Sequence, residues 1–79
     1  MGQYNGHRSW NAWNVALWMS NDEALYRFAM ECIRTTKNLH TAARRFMQQM
    51  GGEQTPDGGV YNLTCVHEAL SGLKASVPS

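Results

Sequence analysis

The sequence predicts an all-α fold, a compact bundle of about four short helices. Apolar residues recur at three- and four-residue spacing in four separate stretches, residues suited to N-caps stand before each, and one glycine-rich segment, residues 51–59, separates the third stretch from the fourth. A chain of 79 residues is about the size of one minimal domain, and such a fold buries only about 60% of the surface its unfolded chain exposes. A single domain over 1–79 is therefore expected, with 1–8 and 74–79 as frayed ends and 51–61 as a loop. At 43% apolar and 16% charged, with three Trp, three Tyr and two Phe, the chain has the material for one core, since each aromatic ring brings about 150–250 Å² of buriable surface.

Ser9 is placed to cap the first helix, expected over 9–19, in which Trp10, Trp13, Leu17 and Trp18 recur at helical spacing. A strand using Trp13, Val15, Leu17 and Met19 fits less well, because Ala16 and Trp18 would then spoil the polar face. The spacing predicts core packing for the three tryptophans, with a partner-binding hot spot as the rival reading. Ser20 to Glu23 fits a capping box that opens a second helix over 21–37. Leu25, Phe28, Ala29, Cys32 and Ile33 form one face of it, widened by Tyr26 and Met30, so several neighbours should pack there. Asn38 stops that helix or caps a third over 39–50, with Leu39, Ala42, Ala43, Phe46, Met47 and Met50 inward and Arg44, Arg45, Gln48 and Gln49 outward. Gly51 and Gly52 end it, and Pro56-Asp57-Gly58 reads as a tight turn. Asn62 or Thr64 caps a fourth helix over 62–73 that carries Leu63, Val66, Ala69, Leu70 and Leu73. Leu25, Phe28, Ile33, Phe46, Met47, Val66 and Leu70 are the expected core.

Seven Lys/Arg against six Asp/Glu give a net charge of +1, which by itself selects neither nucleic acid nor a basic surface as partner. The distribution is less even. Residues 27–45 hold five basic side chains against Glu31, a local net of +4.

The residue types that carry chemistry do not fall into known motifs. Cys32, Cys65, His40 and His67 lack the CxxC or HxxxH spacing of a zinc site, and both cysteines sit in apolar helical patterns where a free thiol packs as a small hydrophobe. No oxyanion-hole motif accompanies Cys32, Asp22 and Glu23 already serve a helix start, and the glycines of 51–59 are not followed by the GK[ST] of a phosphate loop. The expectation is a non-enzyme without cofactor or metal. Met1-Gly2 departs from a myristoylation site at Gly6, no apolar run nears the ~20 residues of a membrane span, and the sequon at Asn62 reads as helix-start chemistry. A cytoplasmic location is expected, with a monomer favoured.

Tyr4-Asn5-Gly6, the run from Ser9 to Ala29 and the turn from Thr55 to Gly58 together resemble a family of very small proteins of bacteriophages and proviral regions. Its members share a Trp-rich first helix, an Asn-Asp-Glu junction and a Thr-Pro-Asp-Gly turn, matched here by Trp10, Trp13, Trp18, by Asn21, Asp22, Glu23 and by Thr55 to Gly58. The resemblance covers most of the chain, with the third helix matched weakly, and it brings no catalytic residue. It implies phage origin, and with it action against host defence, as in anti-CRISPR proteins; a type I-C anti-CRISPR is similar in size and origin. On that reading the protein binds a Cas protein of a type I effector (Cascade) in the host cytoplasm and hinders target-DNA recognition. Asp22, Glu23, Glu53, Asp57 and Glu68 are then the expected partner-binding set, since a DNA-holding channel is positive. The alternative set is the basic face of Arg34, Lys37, Arg44 and Arg45. Two rivals remain: a small nucleic-acid-binding regulator with Lys37-Asn38-Leu39-His40 as the turn of a helix-turn-helix, and a structural or assembly component, which requires a persistent homo-oligomer.

Overall fold

A computed structural model describes residues 9–76. It contains four α-helices, α1 (Trp10–Asn21), α2 (Glu23–Arg34), α3 (Leu39–Met50) and α4 (Leu63–Ser76), and no β-strand among the described residues. The all-α bundle expected from the sequence is what forms. Its Cα radius of gyration, 11.6 Å, is that of a compact chain of this length, about 12 Å.

Local chemistry starts each helix. Ser9 Oγ accepts from the Ala12 amide at 3.1 Å, Asn38 Oδ1 from Thr41 at 2.8 Å and Asn62 Oδ1 from Cys65 at 2.9 Å, each satisfying an amide left without an intrahelical partner. The second start differs from the expected capping box. Asp22, not Ser20, is the N-cap of α2, its Oδ1 accepting from the Leu25 amide at 3.1 Å, while the Ser20 hydroxyl donates back to the carbonyls of Ala16 and Leu17. Helix α1 thus runs on to Asn21, and the Asp22 amide still donates to Trp18 O at 2.9 Å. One residue ends one helix and begins the next. Helix α2 is shorter than expected, closing at Arg34 with Thr35 as its C-cap. The connection to α3 is therefore 35–38, and α3 begins at Leu39 as expected, so Leu39 and His40, the end of the turn in the helix-turn-helix alternative, lie in its first turn. At the other end α4 continues through Gly72 to Ser76, so residues 74–76, expected in a frayed end, are helical; 1–8 and 77–79 lie outside the described residues.

The core is built mainly by α1, α3 and α4, around Val15, Met19, Ala42, Ala43, Phe46, Val66 and Leu70, all with no exposed surface. Helix α2 contributes Ala29 and Cys32 and, as its broad apolar face implied, touches all three neighbours. Of the expected core, Phe46, Val66 and Leu70 are buried; Leu25, Phe28, Ile33 and Met47 are half-buried and pack against its edge. Small residues take the closest approaches, which leaves the larger ones of α2 on the rim. Phe46 sits between Phe28 and Tyr61, with ring centroids 5.2 and 5.9 Å apart. The cysteines are free and buried.

The tryptophans correct the sequence reading. At 100° per residue, Ala12, Val15 and Met19 line the core side of α1, whereas Trp10, Trp13 and Leu17 lie on the opposite side. Trp10 is 40% exposed, and Trp13, Leu17 and Trp18 are half-buried. Ala12 and Val15 allow α1 to lie close against α4, an approach that indole rings at those positions would prevent.

Candidate functional site

A third side of α1 is polar. Asn11, Asn14 and Trp18, at i, i+3 and i+7, form a ridge that holds the segment between α3 and α4. Asn11 meets the backbone of Val60 twice, its Nδ2 donating to Val60 O at 2.8 Å and its Oδ1 accepting from Val60 N at 2.7 Å; the same Nδ2 lies 3.1 Å from Cys65 Sγ. Asn14, only 1% exposed, accepts from the Thr55 hydroxyl and donates to Asp57 Oδ2 at 3.0 Å. Trp18 Nε1 donates to the same Asp57 oxygen at 2.9 Å.

The held segment is a small hairpin. Gln54 and Val60 pair antiparallel, Gly58 N donates to Thr55 O at 2.9 Å, and Thr55 N donates to Gly59 O at 2.7 Å. Pro56 and Asp57 occupy the middle of the turn and Gly58, at φ +95°, follows in the left-handed region that glycine adopts without strain. Gly59 is required for a different reason: a Cβ there would stand 2.7 Å from Asn14 Oδ1. With Gly59 N donating to Thr55 Oγ1 at 2.8 Å, no buried side-chain nitrogen or oxygen among the described residues lacks a partner.

This clasp fixes one acidic side chain, Asp57. The hydrogen bonds from Asn14 and then Trp18 hold the Asp57 carboxyl below its ordinary range. Both act on Oδ2, and the residue is exposed. Asp22 lies close enough that, after burial, its charge is the second cause pushing the Tyr61 phenol up, and Tyr61 N donates to Glu53 O at 3.3 Å. Glu23 follows Asp22 and pairs with Arg27 across one helical turn. Asp22 and Glu23 stand where α1 ends and α2 begins, Asp57 is held against α1 by Asn14 and Trp18, and Glu53 follows α3 in the chain. Glu68 lies elsewhere; it lines a depression of about 440 Å³ between α3 and α4 with His40, Leu63, Thr64, His67 and Ser71.

The basic set is brought together at the α2–α3 connection. Arg34 ends α2, Lys37 lies in the connection, and Arg45 Nη1 reaches Thr35 Oγ1 at 3.3 Å. Arg44 and Arg45 line a second depression, about 410 Å³, with His40, Thr41 and Gln48. All four basic residues are exposed, and none is ion-paired with a described carboxylate. The thiols lie elsewhere: burial pushes Cys32 up against the opposing pull of Arg45, which keeps it in the thiol form that does not attack as a nucleophile. Among the described residues no three His, Cys, Asp or Glu side chains converge on a point, and no helix is long and apolar enough to cross a membrane.

Asn11 and Asn14 were not singled out in the sequence, and Thr55 was marked only as the start of the Thr-Pro-Asp-Gly turn. The available signal was two asparagines inside an otherwise apolar helix, where Asn is a poor helix former and needs a compensating partner.

The clasp carries an expected pH dependence. A carboxyl held below its ordinary value contributes stability that is fully present above that value and lost as pH falls through the depressed one. Acid titration should therefore change the fluorescence of Trp18 below about pH 4. Asp57→Asn should lack that component; an identical acid transition in both proteins would contradict the assignment.

No curated protein matches the chain, and no solved structure does. A family model matches residues 1–75, so the chain belongs to the family of unknown function DUF7249.

Proposed function

We propose that this protein is a phage-encoded, non-enzymatic inhibitor that docks on a type I CRISPR–Cas effector in the host cytoplasm and hinders its recognition of target DNA. The observation that carries a protein partner is the outward side of α1. Trp10 is 40% exposed and lies in line with Trp13 and Leu17 along α1, whose other end carries Trp18 with Asp57 held against it. Aromatic anchors flanked by charge are the usual composition of a binding hot spot. Asp22, Glu53 and Asp57 complement the positive channel in which an effector holds DNA, and such complementarity chiefly raises the association rate. The type I target and the phage origin rest on the resemblance of the Trp-rich helix and the Thr-Pro-Asp-Gly turn.

The test is co-purification with an intact type I effector followed by measurement of its affinity for target DNA. Retention of the protein and loss of DNA affinity are expected. Trp10→Ala should weaken binding to the effector at least about tenfold, and Glu53→Lys should slow association; an unchanged circular dichroism spectrum shows that each variant keeps the fold. An effector that neither retains the protein nor loses DNA affinity in its presence overturns the proposal.

A further inference from the structure

We propose that the outer face of α3 is a second binding surface, one that takes the backbone of duplex DNA. It lies apart from the aromatic face of α1 and does not depend on the function proposed for that face. The depression on α3 is lined by His40, Thr41, Arg44, Arg45 and Gln48, with neither a carboxylate nor an apolar side chain among them. Arg34 and Lys37 extend the positive charge from the end of α2. Glu31, one turn before Arg34, is the acid nearest to them in sequence, and Glu68 lies in the neighbouring depression. Within α3 the neighbours that could neutralise Arg44 and Arg45 are uncharged: His40 and Gln48 stand four residues either side of Arg44, Thr41 and Gln49 either side of Arg45; Glu31, which like Arg45 acts on Cys32, is an acid on the adjoining helix. A solvated helix face is ordinarily laced with both signs of charge at this spacing.

The residue types decide between polyanions. Hot spots for protein partners combine Trp, Tyr and Arg in desolvated pockets; this face has the arginines but no aromatic or large apolar anchor beside them, because Phe46 has no exposed surface. Single-stranded nucleic acid is held by aromatic rings on which bases stack, and these are missing for the same reason. What remains is a row of Arg, Thr, His and Gln donors on the exposed face of one helix of 12 residues. Duplex DNA presents the matching chemistry, phosphates at regular spacing and a groove about 12 Å wide that admits a helix.

The test is fluorescence anisotropy of the full chain with a labelled 20-bp duplex, the corresponding single strand and a polyglutamate peptide of similar charge. Four phosphate contacts, from Arg34, Lys37, Arg44 and Arg45, give a salt slope near about −3.6, or roughly a 150-fold loss of affinity between 50 and 200 mM salt. Arg44→Gln with Arg45→Gln should halve that slope and weaken binding at least about tenfold at 50 mM salt. Both positions are exposed and Gln is a good helix former, so the circular dichroism spectrum should not change. Trp10→Ala should leave duplex affinity intact, which separates this surface from that of α1. Undetectable duplex binding at 50 mM salt, equal affinity for the single strand or for polyglutamate, or an unchanged slope in the double variant overturns the proposal.

Discussion

Phe46→Ala is expected to lower the free energy of unfolding by about 3–5 kcal/mol, out of a total of about 4–12 kcal/mol for a domain of this length. The ring has no exposed surface and touches both Phe28 and Tyr61. Its loss removes buried area and leaves a cavity where three elements meet: α2 through Phe28, the hairpin segment through Tyr61, and α3 itself. Such a site collapses poorly, because each wall is held by its own helix or by the clasp. Phe28→Ala should cost less, about 2 kcal/mol, since half-buried side chains forfeit less area. Urea unfolding of the two variants measures the difference. Equal midpoints would mean that Phe46 does not hold the central position.

Asn14→Ala should cost about 2–3 kcal/mol, a large effect for a polar residue. The side chain fills one buried position and serves two partners at once. Without it the Thr55 hydroxyl loses its acceptor in a dry environment, and the Asp57 carboxylate loses the first of its two donors. Orphaning a buried partner costs more than the net value of the bond that is lost. Thermal melting should show the loss, and Asp57→Asn, which keeps a hydrogen-bonding side chain at an exposed position, should cost less. A wild-type melting temperature for Asn14→Ala would mean that water replaces the amide and that the clasp contributes little.

The parts of this molecule that were legible in the sequence are those set by neighbours in the chain. Ser9, Asn38 and Asn62 cap helices because each lies three residues from the amide it accepts, and α3 was bounded correctly for the same reason. The choice of inward face on α1 was not legible. Hydrophobicity ranks Trp10, Trp13 and Leu17 above Ala12 and Val15, but close approach to α4 selects the smaller residues. Asp57 illustrates the limit for the candidate site. Charge alone marked it as a partner-binding acid, whereas its two donors, Asn14 and Trp18, lie 43 and 39 positions away and leave no local trace.

Those sequence distances also govern the order of assembly. Hydrogen bonds between residues 39 to 49 positions apart close only once α2 and α3 have been laid down between them, whereas the α1–α2 and α2–α3 pairs join across connections of one and four residues. Loop-closure entropy favours the helical pairs first. The clasp is then absent from the folding transition state, and what it contributes slows unfolding without speeding folding. Amides of the 54–60 hairpin should accordingly exchange with solvent through openings that leave the helices intact. Asp57, the carboxylate that the hairpin presents, is thereby fixed in place last and released first.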